Sequence, residues 1–304
     1  MYPVMVDVLG SVMRCFNLQH TKKDKEGNYK VYPCQRCIAC RHNDAVSWGL
    51  RSYFEAQTHE ASTFCTLTYD NDHILPSYHP AYAGNLSLPH HQDFMKRLSY
   101  YCGKVRFLLG AEYGDDTNRP HYHYLLFGVS MDDPVFFDKF YVSSKKAWIA
   151  RCKAWDKGEV CIRPLDIGSC FYTAKYSLKY DKNTLKELEL VGMQKPFRLM
   201  SRRPGLGYDW FLKKKDQILI DGYVRFKGSK LSIPRYWYDK ALPPGTLERE
   251  DYTSLRSNKL FKKFAAEERR LYGHLVGKGK QYLTWTDFYN AMSEQQFINM
   301  KGKK

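Results

Sequence analysis

Four stretches of the chain have the β-branched and aromatic residues and the short apolar runs that predict β-strands. They are residues 63–69, 104–114, 121–129 and 158–165. The polar segment DDTNRP lies between the second and third stretches, so those two predict an antiparallel hairpin. Two further short strands are expected within residues 216–233.

Other segments place apolar residues three and four positions apart, which is typical of helices with one buried face. They are residues 43–60, 89–103, 145–157, 168–190 and 257–273. The order of these elements predicts an α+β fold with a central antiparallel sheet flanked by helices. A doubly wound nucleotide-binding fold is excluded, because the sequence lacks its regular βαβ alternation and its glycine-rich first turn.

Charge and cysteine usage narrow the function classes. The 304 residues include 48 Lys and Arg against 32 Asp and Glu, and this net charge of +16 favours a polyanionic partner, nucleic acid before a membrane surface. No run of about 18 apolar residues occurs, so no membrane span is expected. The nine cysteines are expected to be reduced thiols or metal ligands, because the N-terminus does not read as an export signal.

His121 and His123 lie two positions apart in the stretch RPHYHYLLFG. Side chains at i and i+2 of a strand share one face, so both imidazoles point to the same side. One interpretation is the polar face of an edge strand. The other is metal binding, because neutral imidazole is a common ligand of first-row divalent ions.

Glu112 favours the metal interpretation. It lies near the end of the preceding strand, and residues opposite each other in a hairpin are about 5 Å apart. One carboxylate and two imidazoles make a three-ligand site with open positions, which suits a catalytic metal better than a structural one. With an oxygen ligand and a phosphate substrate, Mg²⁺ or Mn²⁺ is the expected ion.

The segment FYTAKYSLKY spaces Tyr172, Tyr176 and Tyr180 four residues apart, and Lys175 and Lys179 form an adjacent ridge. One interpretation is that the tyrosines pack on the sheet while the lysines face solvent. The other is nucleophilic chemistry, because a tyrosine can attack phosphorus and conserve the bond energy in a covalent ester. A phenol with an ordinary pKa of about 10 needs a nearby cation for this, which a lysine on the same helix supplies.

A cysteine cluster precedes the first predicted helix. It follows a CxxCxxC pattern formed by Cys34, Cys37 and Cys40. A structural zinc site needs four ligands, and Cys15 is the preferred fourth, with Cys65 and His42 as weaker alternatives. An iron–sulfur cluster and unliganded thiols that pack at the start of a helix are the other interpretations.

Three arginines are candidates for DNA contact. Arg202 and Arg203 lie beside two glycines in SRRPGLGYDW, and Arg41 directly follows the cysteine cluster. Arginine forks grip phosphate oxygens, although solvated arginines in a surface turn are an equal alternative. Residues 172–230 contain 14 Lys and Arg against six Asp and Glu, which predicts a surface that binds DNA phosphates with strong salt dependence.

In this order, FCTLTYD, GAEYG, RPHYHYLLFG and YTAKYSLKY resemble the HUH endonucleases that initiate rolling-circle replication. More narrowly, the chain resembles the replication initiation proteins of the Microviridae of the gokushovirus type, small single-stranded DNA bacteriophages. That group has a cysteine cluster like PCQRCIACR and a segment like SRRPGLGYDW. The resemblance runs from about Cys15 to Trp210, and its one departure is the bulky Tyr122 between the histidines.

The resemblance implies a metal-dependent endonuclease that nicks and rejoins single-stranded DNA at a phage origin. The histidine pair, with Glu112, holds the metal. Tyr172 or Tyr176 attacks the scissile phosphate and leaves a 5′-phosphotyrosine and a 3′-hydroxyl that primes synthesis. The other tyrosine cleaves the regenerated origin after one round, and the two lysines beside them stabilise charge.

The resemblance also implies an organisation for the chain. Residues 1–58 form an N-terminal cysteine-cluster module with a helix, residues 59–195 an HUH nuclease core, and residues 196–304 a basic loop and C-terminal extension. The expected partners are single-stranded origin DNA and host replication proteins, with no membrane, in the cytoplasm of a bacterial host. A structural Zn²⁺ is expected at the cysteine cluster.

Two other functions are compatible with the sequence. One is a non-catalytic, basic, zinc-containing protein that binds nucleic acid and stacks bases on aromatic side chains. The other is a tyrosine HUH transposase, which shares the metal-binding strand but usually has one tyrosine. The pair Tyr172 and Tyr176 argues against the transposase.

Overall fold

A computed structural model describes Cys15, Lys22 and residues 19–20, 31–115, 117–178, 180 and 182–254. Backbone contacts divide the chain into two compact units. One unit is the continuous segment Asp44–Lys213, and the other combines residues 1–43 with residues 214–304. The three-part division predicted at residues 58 and 195 stays a prediction.

The strands and helices of the described residues are numbered in chain order. The strands are β1 (Gln19–His20), β2 (Val31–Tyr32), β3 (Ser62–Thr68), β4 (Arg106–Tyr113), β5 (Pro120–Phe127), β6 (Phe136–Val142), β7 (Ala147–Cys152), β8 (Trp155–Pro164), β9 (Phe197–Met200), β10 (Val224–Phe226) and β11 (Ser229–Leu231). The helices are α1 (Ile38–Ala56), α2 (Leu88–Cys102), α3 (Ile167–Ala174), α4 (Lys182–Leu190), α5 (Tyr208–Asp221) and α6 (Arg235–Ala241). A 3₁₀ turn, Lys175–Leu178, follows α3.

The segment Asp44–Lys213 is built on a seven-stranded sheet in the order β6-β7-β8-β3-β5-β4-β9. All neighbouring strands in this sheet are antiparallel. The predicted α+β class with a central antiparallel sheet and flanking helices is therefore confirmed. The predicted hairpin is also confirmed, because β4 pairs with β5 along its whole length.

Strand β5 lies inside the sheet, and its alternation separates two chemically different faces. Tyr122 and Tyr124 are buried on one face, which α2 covers. The ring of Phe94 on α2 lies 4.9 Å from the ring of Tyr124, and Tyr124 Oη is hydrogen-bonded to His91 Nδ1 at 2.8 Å. The histidines of β5 are on the opposite face, which is called the histidine face below.

Helices α1 and α3 flank the histidine face and pack closely against each other. A Cβ atom at Gly49 of α1 would lie only 2.3 Å from the ring of Phe171 on α3, so only glycine allows this approach. Helix α3 begins with a capping box, in which Asp166 accepts from the backbone N–H of Ser169 and the Ser169 hydroxyl accepts from the N–H of Asp166. This cap determines where the tyrosine-bearing helix starts.

The helix predicted over residues 145–157 is wrong, because this segment forms β7 and the start of β8. Its apolar residues also fit a strand that is buried by pairing on both sides, and pairing with β6 and β8 decides the outcome. Trp155 is buried against Tyr69, with ring centroids 5.2 Å apart. Strand β6 was not predicted, since most of it is exposed at the edge of the sheet and lacks an alternating pattern.

The single helix predicted over residues 168–190 is also wrong in extent. It is divided into α3, the 3₁₀ turn and α4. Strand β9 was missed, and the predicted loop 201–211 gives way to α5 at Tyr208. Strands were correctly expected at β10 and β11, although residues 216–221 are helical. The helix predicted over residues 257–273 lies outside the described residues.

A buried ion pair anchors the arginine-rich loop, residues 202–207, to α1 and β4. The carboxylate of Glu55 accepts hydrogen bonds from Arg106 Nε and, at 2.6 Å, from the backbone N–H of Gly207. Arg106 also donates to the carbonyl of Pro204 at 2.9 Å. Burial raises the pKa of Glu55, but hydrogen bonds from His59 and these donors outweigh burial and lower the pKa from 4.5 to about 2.

We expect Glu55→Gln to reduce the free energy of unfolding at neutral pH by about 3 kcal/mol, because it leaves the buried guanidinium of Arg106 without a counter-charge. The native pKa of Glu55 is depressed, so its contribution is complete above about pH 4.5 and is lost as the pH falls towards about 2. Urea unfolding at a series of pH values should therefore show a smaller acid-induced loss for Glu55→Gln than for the wild type.

The matched control is Asp132→Asn, which removes a carboxylate that is 92% exposed and pairs with Lys139. Exposed ion pairs contribute little, so this variant should unfold like the wild type. Identical acid dependence in the wild type and Glu55→Gln would contradict the assigned role of Glu55.

The other unit contains the two-stranded ribbon β1–β2, the predicted cysteine cluster and the hairpin β10–β11. Lys227 and Gly228 connect the hairpin with φ values of 45° and 78°, the left-handed conformation that tight two-residue turns require. No helix in the described part of the chain combines the length and apolar character needed to cross a membrane.

Candidate active site

The paired strands β4 and β5 bring the three predicted metal ligands onto the histidine face. Glu112 is the direct register partner of His121, and His123 is opposite Gly110 one step along. Alternation therefore places Glu112, His121 and His123 on one side of the sheet, as the sequence predicts. Glu112 and His123 are buried, and His121 is half-buried.

His123 is held from both sides of its ring. Its Nε2 lies 3.2 Å from Glu112 Oε1, and its Nδ1 lies 3.1 Å from the hydroxyl of Thr66 on β3. When Nδ1–H donates to Thr66, the lone pair of Nε2 is directed towards Glu112. Thr66 was not predicted from the sequence, and its only signal is its position in the alternating strand TFCTLTY.

The three side chains have the chemistry of a divalent-cation site, because they combine two imidazoles with a carboxylate. Glu112 and His123 are already in contact. In this structure, however, the ligand atoms of Glu112, His121 and His123 are not all within 4.8 Å of one another. The donor set fits Mg²⁺ or Mn²⁺, and the rings of His121 and His123 are 6.1 Å apart on the same face.

Tyr172 and Tyr176 both contact His123, although they are separated from it by about fifty residues of sequence. The ring of Tyr176 stacks on the ring of His123 at 4.6 Å with an interplanar angle of 13°. The ring of Tyr172 meets His123 edge-on at 5.7 Å and Tyr176 at 5.1 Å. The structure therefore joins the predicted tyrosines and the predicted metal ligands in one cluster.

Gly110 makes room for Tyr176. A Cβ atom at this position of β4 would lie 2.7 Å from Cδ2 of Tyr176, so a larger residue would displace the ring from His123. Glycine inside a strand weakens it and often marks a close approach by another group. The motif GAEYG carried this signal in the sequence, but the group that approaches was not predictable from it.

The two tyrosines differ in exposure. The side chain of Tyr172 is 41% exposed, whereas the hydroxyl oxygen of Tyr176 is buried and has no well-formed hydrogen bond among the described residues. Burial and the nearby Glu112 carboxylate raise the pKa of Tyr176 far above its usual value. Burial also raises the pKa of Tyr172, and Arg163 partly opposes this shift. Both phenols are therefore neutral here, and a phenolate needs added positive charge.

Tyr180, the third tyrosine of the series, has a structural contact instead. Its hydroxyl donates to the carbonyl of Tyr113 and accepts from the N–H of the same residue, both at 3.0 Å. Lys175 lies in the 3₁₀ turn, makes no ion pair with any described residue, and has a pKa lowered by burial. Lys179, the other predicted cation, lies outside the described residues.

The predicted DNA-binding arginines are placed differently. Arg202 and Arg203 are exposed on the loop that the Glu55–Arg106 pair anchors. Arg41 belongs to the other unit, where its backbone N–H donates to the carbonyl of Cys37 at 3.0 Å. The structure thus joins Arg41 to the cysteine cluster, as its position in the sequence predicts.

The cysteine cluster forms as predicted, including its fourth member. The sulfur atoms of four residues lie within 4.8 Å of one another, and they belong to Cys15, Cys34, Cys37 and Cys40. Cys34 Sγ accepts backbone N–H bonds from Arg36 at 3.4 Å and from Cys37 at 3.3 Å. Burial raises the pKa of Cys34, but these N–H donors outweigh it and lower the pKa to about 6. Four thiols so arranged can bind a metal such as zinc.

We expect Cys37→Ala to reduce the zinc content of the purified protein from about one ion per chain to near zero, because a structural site needs all four ligands. Inductively coupled plasma mass spectrometry measures this directly. Cys102→Ala is the control, since Cys102 is a half-buried thiol on α2 outside the cluster. Full zinc occupancy in the Cys37→Ala protein would refute the cluster as a zinc site.

Comparison with known proteins follows the same part of the chain. A family model of replication-associated proteins of the ORF2 type matches residues 62–182, from β3 to the start of α4. Replication-associated protein VP4 of Bdellovibrio phage phiMH2K is 28% identical over 256 residues, covering 79% of this chain and 77% of the relative. Replication-associated protein ORF2 of Spiroplasma virus 4 is 31% identical over 232 residues, covering 70% and 69% respectively.

Replication-associated protein ORF4 of Chlamydia phage 1 is 26% identical over 241 residues, covering 75% of this chain and 58% of the relative. No solved structure gives a significant match. The shared description is that of a phage replication-associated protein. The chain belongs to the replication-associated proteins of the Microviridae, which confirms the family predicted from the sequence and assigns it to phage replication.

Proposed function

We propose that the protein initiates rolling-circle replication by nicking and rejoining single-stranded DNA at the phage origin, with the fold acting as an HUH nuclease core. The observation that carries this proposal is the cluster formed by Tyr172, Tyr176, His123 and Glu112 on the histidine face. A phenol, a candidate cation site and a solvent-exposed approach are the groups that transesterification at phosphorus requires.

The chemistry assigned to the tyrosines is a balanced exchange of one ester for another. The phenolic oxygen of Tyr172 or Tyr176 forms a bond to phosphorus, and the bond from phosphorus to the 3′-oxygen breaks. The phenolic proton is released, and the departing 3′-oxygen takes up a proton to become the 3′-hydroxyl primer. The 5′-phosphotyrosine keeps the bond energy, so the strand can be rejoined without another energy source.

Two tyrosines allow this exchange to occur twice. After one round of synthesis, the second tyrosine cleaves the regenerated origin. The 3′-hydroxyl released by that cleavage attacks the first phosphotyrosine, which frees a circular strand. The contact between the rings of Tyr172 and Tyr176, at 5.1 Å, places both nucleophiles beside the same histidine pair.

Glu112, His121 and His123 would hold the divalent cation, Mg²⁺ or Mn²⁺. When bound, such an ion supplies positive charge that polarises the scissile phosphate and favours a phenolate nearby. Thr66 orients His123, and Gly110 lets Tyr176 lie against it. Lys175 contributes charge at the same helix end.

DNA binding is assigned to basic groups outside this cluster. Arg202 and Arg203 are exposed on an anchored loop, so their guanidinium groups are available to phosphate oxygens. The net charge of +16 predicts binding that weakens steeply with salt. Host replication proteins are proposed to join the complex after the nick exposes a primer.

The deciding experiment incubates the protein with the single-stranded phage genome and Mn²⁺, digests the product, and searches for a nucleotide-linked peptide by mass spectrometry. We expect the nucleotide on Tyr172 or Tyr176. Salt-sensitive binding without cleavage would support the non-catalytic alternative instead. An adduct on any other residue would also refute the proposed site.

A further inference from the structure

Arg163 is an arginine of the histidine face that neither the motifs nor the proposed mechanism uses. It lies on β8, and its register partner on β3 is Phe64. Phe64 is in turn the register partner of Leu125, which is two residues from His123 on the same face of β5. The three strands therefore place Arg163 on the side of the sheet that carries the candidate active site.

The ring of Phe64 connects Arg163 to the tyrosines. The guanidinium carbon of Arg163 lies 4.3 Å from the centroid of the Phe64 ring. The same ring is 6.1 Å from the ring of His123 and 6.3 Å from the ring of Tyr172. Arg163 is therefore one aromatic ring away from the exposed tyrosine, and its charge acts on that tyrosine.

The guanidinium of Arg163 has no protein anion. Within the described part of the chain, no carboxylate is in ion-pair distance of it, and its Nε is buried without a hydrogen-bond partner. Other arginines of the same unit are paired, such as Arg97 with Asp156 and Arg198 with Asp44. A partly buried guanidinium is costly to leave unpaired, so it indicates a missing anionic ligand.

We infer that Arg163 binds a phosphate of the single-stranded DNA within one nucleotide of the phosphate that the tyrosine attacks. Arginine suits this role because its planar fork contacts two phosphate oxygens and keeps its charge at all working pH values. Contact with the Phe64 ring leaves the edge of the guanidinium, with its N–H donors, directed away from the protein ring. The inference rests on the proposed nuclease function and adds a substrate contact to it.

The first test compares Arg163→Gln with Arg97→Gln. Both variants remove one arginine charge from the same unit, but Arg97 lies on α2, which covers the opposite face of the sheet. Binding of an oligonucleotide that spans the mapped nick is measured by fluorescence anisotropy in EDTA, and cleavage is measured with Mn²⁺. We expect Arg163→Gln to weaken binding and cleavage about tenfold or more, while Arg97→Gln changes neither.

The second test locates the contacted phosphate. Oligonucleotides that carry one neutral methylphosphonate at successive positions are bound to the wild type and to Arg163→Gln in EDTA. At the contacted position the two losses should not add, because neutralising the phosphate or removing its arginine breaks the same contact. That position should lie within one nucleotide of the nick. Additive losses at every position, or a non-additive position elsewhere, would overturn the inference.

The two proposals fail in different ways. If the wild type forms no tyrosine adduct, the nuclease function fails, whatever the Arg163 variants do. If the wild type cleaves and Arg163→Gln binds and cleaves equally well, only the inference about Arg163 fails. Should Arg163→Gln unfold, Arg163→Lys preserves the charge, and a smaller binding loss at the same phosphate is then the expected result.

Discussion

Replacing Tyr172 and Tyr176 together by phenylalanine is expected to abolish the covalent protein–DNA adduct and to reduce nicking by at least about a thousandfold. Phenylalanine preserves the rings that contact His123 but removes both nucleophilic oxygens. Hydroxyl loss at Tyr176 breaks no well-formed hydrogen bond among the described residues, so folding should be retained. Adducts are measured by denaturing gel electrophoresis of labelled DNA.

The matched control is Tyr180→Phe, from the same four-residue series. Its hydroxyl bonds only to the backbone of Tyr113 in the contacts described above, so this variant should lower stability slightly and still form the adduct. The single variants Tyr172→Phe and Tyr176→Phe then separate the first cleavage from the second. Adduct formation by the double variant at the wild-type rate would exclude both tyrosines as nucleophiles.

Replacing His121 and His123 together by alanine should lower cleavage by about a thousandfold or more, because several kcal/mol of charge stabilisation at the phosphate are lost. Single-stranded DNA binding in EDTA should be largely retained, since it depends on arginines and lysines outside this pair. The same protein is assayed for Mn²⁺-dependent cleavage and for binding across a range of salt concentrations.

The control for this experiment is His73→Ala. His73 is 46% exposed and pairs with Asp70 in the loop after β3, so it is outside the candidate ligand set. It should cleave and bind like the wild type. Unchanged cleavage by the His121 and His123 double variant would refute the ligand assignment, and an equal loss of binding and cleavage would indicate misfolding or a purely DNA-binding role.

The sequence predicted those parts of the site that depend on local geometry. Alternation in a strand placed His121 and His123 on one face, and a six-residue turn brought Glu112 opposite them. The cysteine spacing likewise indicated a cluster, with Cys15 as its fourth member. In each of these cases the residues are close in sequence or belong to a recognisable motif, so strand periodicity and motif spacing were sufficient.

Long-range pairing determined the remainder. Residues 145–157 have a spacing compatible with either helix or strand, and their partners in β6 and β8 made them strands. The helix predicted through Tyr176 ends at Ala174, where the chain turns so that Tyr176 stacks on His123 and Tyr180 bonds to β4. These contacts offset the loss of regular helix, which local propensity does not register.

By itself, the sequence determined the family, the α+β class, the shared face of the histidines and the identity of the paired tyrosines. The tertiary structure alone decided that Tyr176 lies over Gly110, that Thr66 holds His123, and that Arg163 is near Tyr172. The physical reason is that side-chain periodicity is set by the local backbone. Contacts between strands tens of residues apart depend instead on the register in which the whole sheet pairs.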